Sequence, residues 1–120
     1  MDFPTHLYID GALAKGTGQR DIINPATEEV LVTVSTAGFD DAERALQAAS
    51  AAFPAWAATS VATRQMWMRR LRDEVIANET FLRDCVHNEM GKPWAQTEED
   101  WDRLVVSLDF YAEEIASISD

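Results

Sequence analysis

Residues 97–115, which read TEEDWDRLVVSLDFYAEEI, contain the most regular apolar repeat in the chain. Apolar side chains recur three or four residues apart, which is the spacing of one face of an α-helix. Thr97, followed by Asp100 three residues later, is typical of a helix start. The pattern therefore predicts a long amphipathic helix, whose apolar face consists of Trp101, Leu104, Val105, Leu108, Tyr111, Ala112 and Ile115.

A second helix is predicted just after residue 39. Asp40 and Glu43 have the spacing of a capping box, and Pro54 is expected to end the helix because proline lacks a backbone N–H. One face of this helix is apolar and is expected to be its core side, with Ala42, Ala45, Leu46, Ala49 and Phe53.

Two more helices are predicted between these. Ser60 is a plausible cap for one, and Asn78 marks the start of the other, which Gly91 followed by Pro93 should stop. The first of them carries Met68, Leu71 and Val75 on one face, and the second carries Phe81, Leu82, Cys85, Val86 and Met90.

The first third of the chain has the features of β-hairpins. Residues 6–9 form a short apolar strand before the turn signal Asp10-Gly11, and residues 21–23 and 30–34 flank a turn that contains Pro25. A flexible turn is also expected at residues 16–18, which read GTG. We therefore predict β-hairpins over residues 1–36 and four helices over residues 39–118, a mainly α-helical segment with N-terminal hairpins.

The charge and composition of the chain indicate its domain size and argue against two classes of binding partner. The 120 residues are 47% apolar, which fits one domain or part of a larger one, and the formal net charge is −11. Eight acidic residues and one basic residue, Arg103, lie between residues 98 and 120. Such a surface repels phosphate groups, so neither nucleic acid nor an anionic membrane is an expected partner.

The sequence also indicates the cellular compartment in which the protein is expected. The single cysteine excludes an intramolecular disulfide, the N-terminus has no signal-peptide pattern, and no apolar run approaches the ~20 residues of a membrane helix. We expect a cytoplasmic protein. The abrupt end at Asp120, just after a strong helix, suggests a truncated chain.

The sequence by itself does not contain a recognisable set of catalytic residues. Cys85 lies on an apolar helix face and is interpreted as a core residue rather than a reactive thiol. His6 and His87 have no cluster of metal ligands around them, and the GTG stretch lacks the third glycine and the following helix of a phosphate loop. The acidic run 98–100 is interpreted as a solvated helix start.

Several short stretches nevertheless resemble the aldehyde dehydrogenases, in order and over nearly the whole chain. Residues 23–31, INPATEEVL, resemble the family's I-N-P-A-T-G-E-V segment, with Glu28 where glycine is usual. Arg64 fits the arginine of the family's next helix. The other matching stretches are LYIDG at 7–11, AGFDDA at 37–42, AAFPAW at 51–56, EMGKP at 89–93 and FYA at 110–112.

This resemblance implies an α/β enzyme several times longer, in which this chain is the N-terminal part of the cofactor-binding domain and the catalytic domain is absent. In the family a cysteine thiolate attacks the aldehyde, hydride passes to NAD or NADP, and a glutamate activates the water that releases the acid. Those residues all lie downstream of the matched part. We therefore expect no catalytic or cofactor-binding residue here, and no activity from the isolated chain.

Two weaker sites follow from the resemblance. Backbone carbonyls of Ile22 and Ile23, with the carboxylate of Glu89, would hold a monovalent cation; the alternative is that Glu89 caps or pairs locally. Arg103 and Leu104 would border the substrate entrance, where Arg103 could attract a carboxylate-bearing aldehyde. The alternative is a surface arginine that offsets Glu99 or Asp102.

The resemblance implies that the whole enzyme oxidises a small aldehyde, with succinate semialdehyde as one candidate, and that it forms a homo-oligomer. The rival interpretation is a non-catalytic helical interaction module derived from such an enzyme, which would offer the apolar face of its last helix to a partner.

Overall fold

The computed structural model describes residues 3–117, which fall into two units that meet in sequence between Ala58 and Thr59. The first unit contains strands β1 (Leu7–Ile9), β2 (Ala12–Ala14), β3 (Gly18–Ile23) and β4 (Val30–Thr36), followed by helix α1 (Phe39–Ala57). The second contains α2 (Val61–Ala77), α3 (Glu79–Met90) and α4 (Thr97–Glu114), with 3₁₀ turns at Trp94–Gln96 and Ile115–Ser117. The predicted order of hairpins and then helices is confirmed, and position 118, the end of the predicted helical segment, lies outside the described residues.

The first hairpin is closed by the predicted turn. β1 pairs antiparallel with β2, with Leu7 opposite Ala14 and Ile9 opposite Ala12. Asp10 and Gly11 both have positive φ, 54° and 74°. Two consecutive positive φ values are the mark of a type I′ turn, whose twist matches that of the strands, so the Asp-Gly signal is confirmed.

The second hairpin joins β3 to β4 through residues 24–29. The Asn24 side-chain oxygen accepts a bond from the Ala26 N–H at 2.8 Å, and the Asn24 carbonyl accepts one from the Glu28 N–H at 2.8 Å. This arrangement puts Glu28 at φ 61°. A left-handed conformation is natural for glycine and strained for glutamate, which explains why glycine is usual at this position of the family motif.

The glycines at 16 and 18 serve close packing and do not form a hairpin turn, so that prediction was wrong. They lie in the connection from β2 to β3. A Cβ atom at Gly16 would lie 2.1 Å from the backbone oxygen of Thr36, and one at Gly18 would lie 2.7 Å from the Thr36 hydroxyl. The chain can pass this close to β4 only without side chains.

Helix α1 begins and ends at different residues from those predicted. Gly38 is the N-cap, and its N–H donates to the carboxylate of Asp41 at 3.0 Å, so the acidic capping residue is Asp41 and not Glu43. The helix continues through Pro54 to Ala57. One proline removes a single backbone donor, and the helix tolerates that loss within its last turn.

The face of α1 that was predicted to be core is exposed, which corrects the sequence-based expectation. Leu46 and Phe53 are 67% and 66% exposed, and Ala42, Ala45 and Ala49 are exposed as well. The side of α1 that lies beside the β1–β2 hairpin instead presents Arg44, Gln47, Ala48 and Ala51, which line a groove with that hairpin. The helical spacing of the apolar residues predicts that α1 has an apolar face, but it does not predict which side of α1 packs against the hairpin.

In the second unit, the observed helix ends agree with those predicted from the sequence. The Ser60 hydroxyl accepts a bond from the Thr63 N–H at 3.2 Å, Asn78 is the N-cap of α3, and Gly91 ends α3 with φ 69°. These three predictions are confirmed. Each depends on backbone geometry within one turn, which the local sequence determines.

Helices α2 and α4 pack together through small and polar contacts. Ala112 is 2% exposed, and its carbonyl accepts a bond from the Gln65 amide at 3.0 Å. Arg69 and Glu113 form an ion pair at 2.9 Å between the same helices. The predicted apolar face of α4 is partly covered: Leu104 and Tyr111 are exposed, and Trp101, Val105, Leu108 and Ile115 are half-buried.

No helix among residues 3–117 is both long enough and apolar enough to span a lipid bilayer.

Candidate functional site

The loop between α3 and α4, in the EMGKP stretch, is held by polar contacts from His87 and Lys92. Gly91 reverses the chain at the end of α3. Nδ1 of His87 lies 2.6 Å from the carbonyl oxygen of Lys92, so His87 donates through Nδ1. Nζ of Lys92 lies 2.5 Å from a carboxylate oxygen of Asp100 in the first turn of α4. The loop is thus fixed to both helices that it joins.

Beside this loop, Arg83 connects α3 to the start of α4. Its guanidinium pairs with Glu79 at 2.8 Å and donates from Nε to the hydroxyl of Thr97 at 3.0 Å. The same guanidinium lies 4.7 Å from the ring centre of Trp94, a cation–π distance. The Thr97 hydroxyl in turn donates to the Trp94 carbonyl at 2.7 Å, and Thr97 is 1% exposed. We call Glu79, Arg83, Trp94 and Thr97 the Arg83 clamp.

The role of Arg83 was not predicted from the sequence. The spacing of Glu79 and Arg83, four residues apart on one helix, is the signal that could have suggested their ion pair. Thr97 was recognised only as a helix start. Its bond to Arg83 joins residues 14 positions apart, and a spacing that long carries no local signature.

Cys85 is half-buried in α3, and its surroundings disfavour the thiolate. Burial raises the pKa of the Cys85 thiol, and the nearby carboxylates of Glu89 and Asp84 raise that pKa further. The thiolate is the nucleophilic form, so a thiol kept protonated at neutral pH is a poor nucleophile. The structure therefore agrees with the interpretation of Cys85 as a packing residue.

The three residues of the predicted cation site lie in two units. Ile22 and Ile23 are neighbours in β3, at a bulge where Ile22 is opposite Val32 and Ile23 is opposite Val30. Glu89 lies in the last turn of α3, where its side chain is exposed. Each residue is located within its own unit, and the cation site stays a prediction. Across residues 3–117, no three His, Cys, Asp or Glu side chains cluster closely enough to hold a metal ion.

Arg103 and Leu104 lie side by side on α4. The guanidinium of Arg103 pairs with Glu99 one turn earlier, which is one of the two local partners that the sequence suggested. Both side chains of that pair are largely exposed. Leu104 is 41% exposed and borders a small cleft of about 60 Å³ with Leu82, Val86 and Trp101. Their place at a substrate entrance stays a prediction.

Comparison with known proteins gives one consistent result. The sequence model described as "Aldehyde dehydrogenase family" matches residues 13–120. Glutarate-semialdehyde dehydrogenase of Pseudomonas putida is 34% identical over 118 residues, which are 97% of this chain and 25% of that protein. The chain spans about a quarter of the length of this relative and of the Pseudomonas aeruginosa glutarate-semialdehyde dehydrogenase.

Solved structures agree with the sequence relatives. Succinate-semialdehyde dehydrogenase from Burkholderia pseudomallei superposes with a TM-score of 0.87 at 31% identity, over 92% of this chain and 23% of that one. A point mutant of betaine aldehyde dehydrogenase from Staphylococcus aureus, solved in complex with NAD+, gives a TM-score of 0.85 at 32% identity, over 89% of this chain and 22% of that one.

Proposed function

Since the chain belongs to the aldehyde dehydrogenase family, we propose that it forms the N-terminal part of an oxidoreductase that converts an aldehyde into a carboxylic acid with NAD or NADP. The observation that carries this proposal is the continuous match over residues 13–120, with identities above 30% to enzymes of this activity. The same hairpins and helices superpose on enzymes of the family along nine-tenths of this chain.

In this proposal the chain is a structural part of the enzyme and does not carry the reacting groups. The Gly16-Thr-Gly18 connection does not fit a dinucleotide, because it leads from strand β2 into strand β3 and not into the helix N-terminus that binds a pyrophosphate. The Cys85 thiol, with its raised pKa, does not fit the role of the attacking thiolate. The nucleophile, the general base and the NAD(P) site then belong to the remaining three quarters of the enzyme, and the isolated chain is inactive.

The proposed substrate is a small aldehyde that also carries a carboxylate, such as succinate semialdehyde. Support comes from the relatives, which include enzymes named for glutarate and succinate semialdehyde. In this chain Arg103 is the residue proposed to attract the substrate carboxylate at the entrance, next to Leu104. Its present ion pair with Glu99 is exposed, and such pairs stabilise by only ~0–1 kcal/mol, so a substrate carboxylate can compete for the guanidinium.

A monovalent cation held by the carbonyls of Ile22 and Ile23 and by Glu89 is also proposed. Carbonyl and carboxylate oxygens are suitable ligands for a hard cation. The bulge interrupts the regular pairing of β3 and β4 beside Ile22 and Ile23, which supports a role for their backbone beyond the ladder. We propose, in addition, a cytoplasmic homo-oligomer that binds neither nucleic acid nor membranes, in keeping with the net charge of −11.

A second candidate is a non-catalytic interaction module derived from such an enzyme. The observation that favours it is the number of large apolar side chains that the structure leaves exposed, among them Phe39, Leu46 and Phe53 on α1. In that case the 120-residue chain is itself the functional product, and these side chains contact another protein. They replace the expected surface on the last helix, where Trp101, Leu108 and Ile115 are half-buried.

The mass of the protein in its source cells separates the two candidates. An antibody against this chain should detect a polypeptide about four times as long as 120 residues. The purified polypeptide should reduce NAD or NADP with succinate or glutarate semialdehyde, and faster than with benzaldehyde. A product of 120 residues would exclude the enzyme and leave the interaction module. A long product that oxidises none of these aldehydes would exclude the proposed activity.

A further inference from the structure

One face of the β3–β4 hairpin is polar near its open end. Side chains alternate between the two faces of a strand, so Gln19 and Asp21 of β3 share a face. Ser35 lies opposite Gln19 and Thr33 lies opposite Asp21, which places all four side chains on that face. Polar side chains do not build a hydrophobic core, so this face is suited to solvent or to a polar ligand.

Two further segments convert this face into a pocket. The Ser35 N–H donates to the carbonyl of Thr5 at 2.8 Å, which brings residues 5–6 alongside β4. At the end of the hairpin, Gly16 allows the β2–β3 connection to approach Thr36, because a Cβ atom there would lie 2.1 Å from the Thr36 oxygen. These segments and the polar face border a pocket of about 410 Å³, a volume typical of small-molecule sites.

The lining of this pocket carries basic groups and neutral donors. Lys15 and His6 border it, and no aspartate or glutamate is among the described residues that line it. Lys15 is exposed, and no carboxylate in the described part of the chain pairs with it. Nδ1 of His6 lies 3.2 Å from the Thr5 hydroxyl, which leaves Nε2 for a ligand. The Ser35 hydroxyl and the Gln19 amide add neutral donors. We call this site the Lys15 pocket.

We propose that the Lys15 pocket binds a phosphate group, either as inorganic phosphate or as part of a small phosphate ester. The inference goes beyond the proposed function and does not depend on it, because all the lining residues belong to the first unit. The lysine ammonium supplies a point charge for one phosphate oxygen. The hydroxyl, amide and imidazole groups around it supply hydrogen bonds to the others.

The same lining disfavours other small ligands. A hard metal cation requires carboxylate or carbonyl oxygens, and a carboxylate ligand is bound best by the planar fork of an arginine, which the lining lacks. Asp21 accepts a bond from the Thr33 hydroxyl at 2.6 Å and is not among the lining residues. The net charge of −11 opposes any anion, but at physiological ionic strength exposed charges more than about 8 Å away are largely screened.

The test measures phosphate binding by the full polypeptide that the source cells encode, whatever its length. Equilibrium dialysis with radiolabelled inorganic phosphate is carried out at fixed ionic strength, with saturating NAD+ and NADP+ to occupy any dinucleotide site. Lys15→Met removes the charge from the pocket. Arg20→Met is the matched control, since Arg20 is exposed, lies on the opposite face of β3 and is outside the lining. We expect Lys15→Met to weaken binding about tenfold or more, and Arg20→Met to weaken it less than about twofold.

A second variant tests the neutral donors. Ser35→Ala keeps the backbone bond to Thr5 and removes only the hydroxyl, so it should weaken phosphate binding about two- to tenfold. The Tm of Lys15→Met should equal that of the unmodified protein, because the Lys15 side chain is exposed. Loss of binding at an unchanged Tm would therefore report on the pocket and not on the fold.

The source of the phosphate group is decided by competition. Glycerol 3-phosphate that displaces the label at lower concentration than unlabelled phosphate would assign the site to a phosphate ester, and equal displacement would assign it to inorganic phosphate. Succinate that displaces the label as well as glycerol 3-phosphate does would overturn the assignment to phosphate.

Two other results would overturn the proposal. One is an equal loss of binding in Lys15→Met and Arg20→Met, which would indicate a general effect of charge. The other is the absence of bound phosphate at concentrations up to about 10 mM, the range of very weak binding. Aldehyde oxidation by the same polypeptide is measured separately, so a failure of the proposed activity leaves the result for the Lys15 pocket unchanged.

Discussion

Nε of Arg83 donates to the hydroxyl of Thr97 at 3.0 Å, and this bond joins α3 to the first residue of α4. The Arg83 side chain is only 16% exposed and also pairs with Glu79 and stacks on Trp94. One guanidinium therefore holds three partners around the turn that links the two helices. A planar group with several donors is suited to this role, whereas lysine offers a single point of charge.

The first prediction concerns this clamp. Replacing Arg83 with Met should lower the free energy of unfolding by about 1–3 kcal/mol, because a charged hydrogen bond, an ion pair and a cation–π contact are lost together. Urea unfolding followed by circular dichroism measures the change. Arg103→Met is the matched control, since its exposed ion pair with Glu99 should contribute less than ~1 kcal/mol. Equal losses in the two variants would contradict the role of the clamp.

The second prediction concerns the strained turn at Glu28. Replacing Glu28 with Gly should raise the free energy of unfolding by about 0.5–1 kcal/mol, because glycine adopts the observed φ of 61° without a Cβ clash. The adjacent Glu29→Gly variant serves as control. It should be neutral or destabilising, since Glu29 is not among the positive-φ residues and glycine only adds freedom to the unfolded chain. A Tm for Glu28→Gly below that of the unmodified chain would refute this account.

The third prediction concerns pH. The N–H of Gly38 is the main cause that lowers the pKa of the Asp41 carboxyl below 3.8, and Arg44 contributes further. A carboxyl whose pKa is lower in the folded state stabilises the fold above the unfolded pKa. That stabilisation is lost as the pH falls through the folded pKa.

Asp41→Asn should therefore be less stable than the unmodified chain at pH 7, and the difference should shrink as the pH falls below about 4. Thermal unfolding between pH 7 and pH 2.5 gives the comparison. Asp40→Asn, at the exposed neighbouring position, is the control and should show a smaller difference at pH 7. A constant gap between Asp41→Asn and the unmodified chain across this range would rule out a linkage to the Asp41 carboxyl.

The fourth prediction tests the proposed substrate entrance in the full-length enzyme. Arg103→Met should raise the KM for succinate semialdehyde about three- to tenfold and change kcat little, because the proposed role of the arginine is to attract the substrate before the chemical step. The KM for benzaldehyde, which lacks a carboxylate, should stay unchanged. Glu99→Gln should lower the KM for the semialdehyde by freeing the guanidinium. A uniform change for both aldehydes would indicate a structural role for Arg103.

The features that the sequence predicts correctly are those decided within one turn of chain. Asp10-Gly11, the Ser60 cap and the stop at Gly91 depend on the φ angles and backbone donors of adjacent residues. The start of α1 was misassigned because Asp40 and Glu43 have the same three-residue spacing as Gly38 and Asp41. Only the approach of the Gly38 N–H to the Asp41 carboxylate shows which pair caps the helix.

Features that depend on contacts between helices or strands distant in sequence were harder to predict. The apolar side of α1 was recognised correctly as a pattern, yet Leu46 and Phe53 are exposed because the unit packs the other side of the helix. The Arg83–Thr97 bond has no local signature. Glu99 was one of the two local partners expected for Arg103, the other being Asp102, whereas Ile22, Ile23 and Glu89 came from resemblance alone and stay a prediction.

The exposed apolar side chains of α1 have a consequence for the synthesis of the proposed enzyme. The ribosome completes this first quarter while about 360 residues, three times the present chain, have still to be made. At translation rates of about 5–20 residues per second, that takes roughly 20–70 s. Throughout this interval Phe39, Leu46 and Phe53 stay as exposed as they are among residues 3–117. The nascent chain should therefore be a client of ribosome-associated chaperones until its later segments emerge.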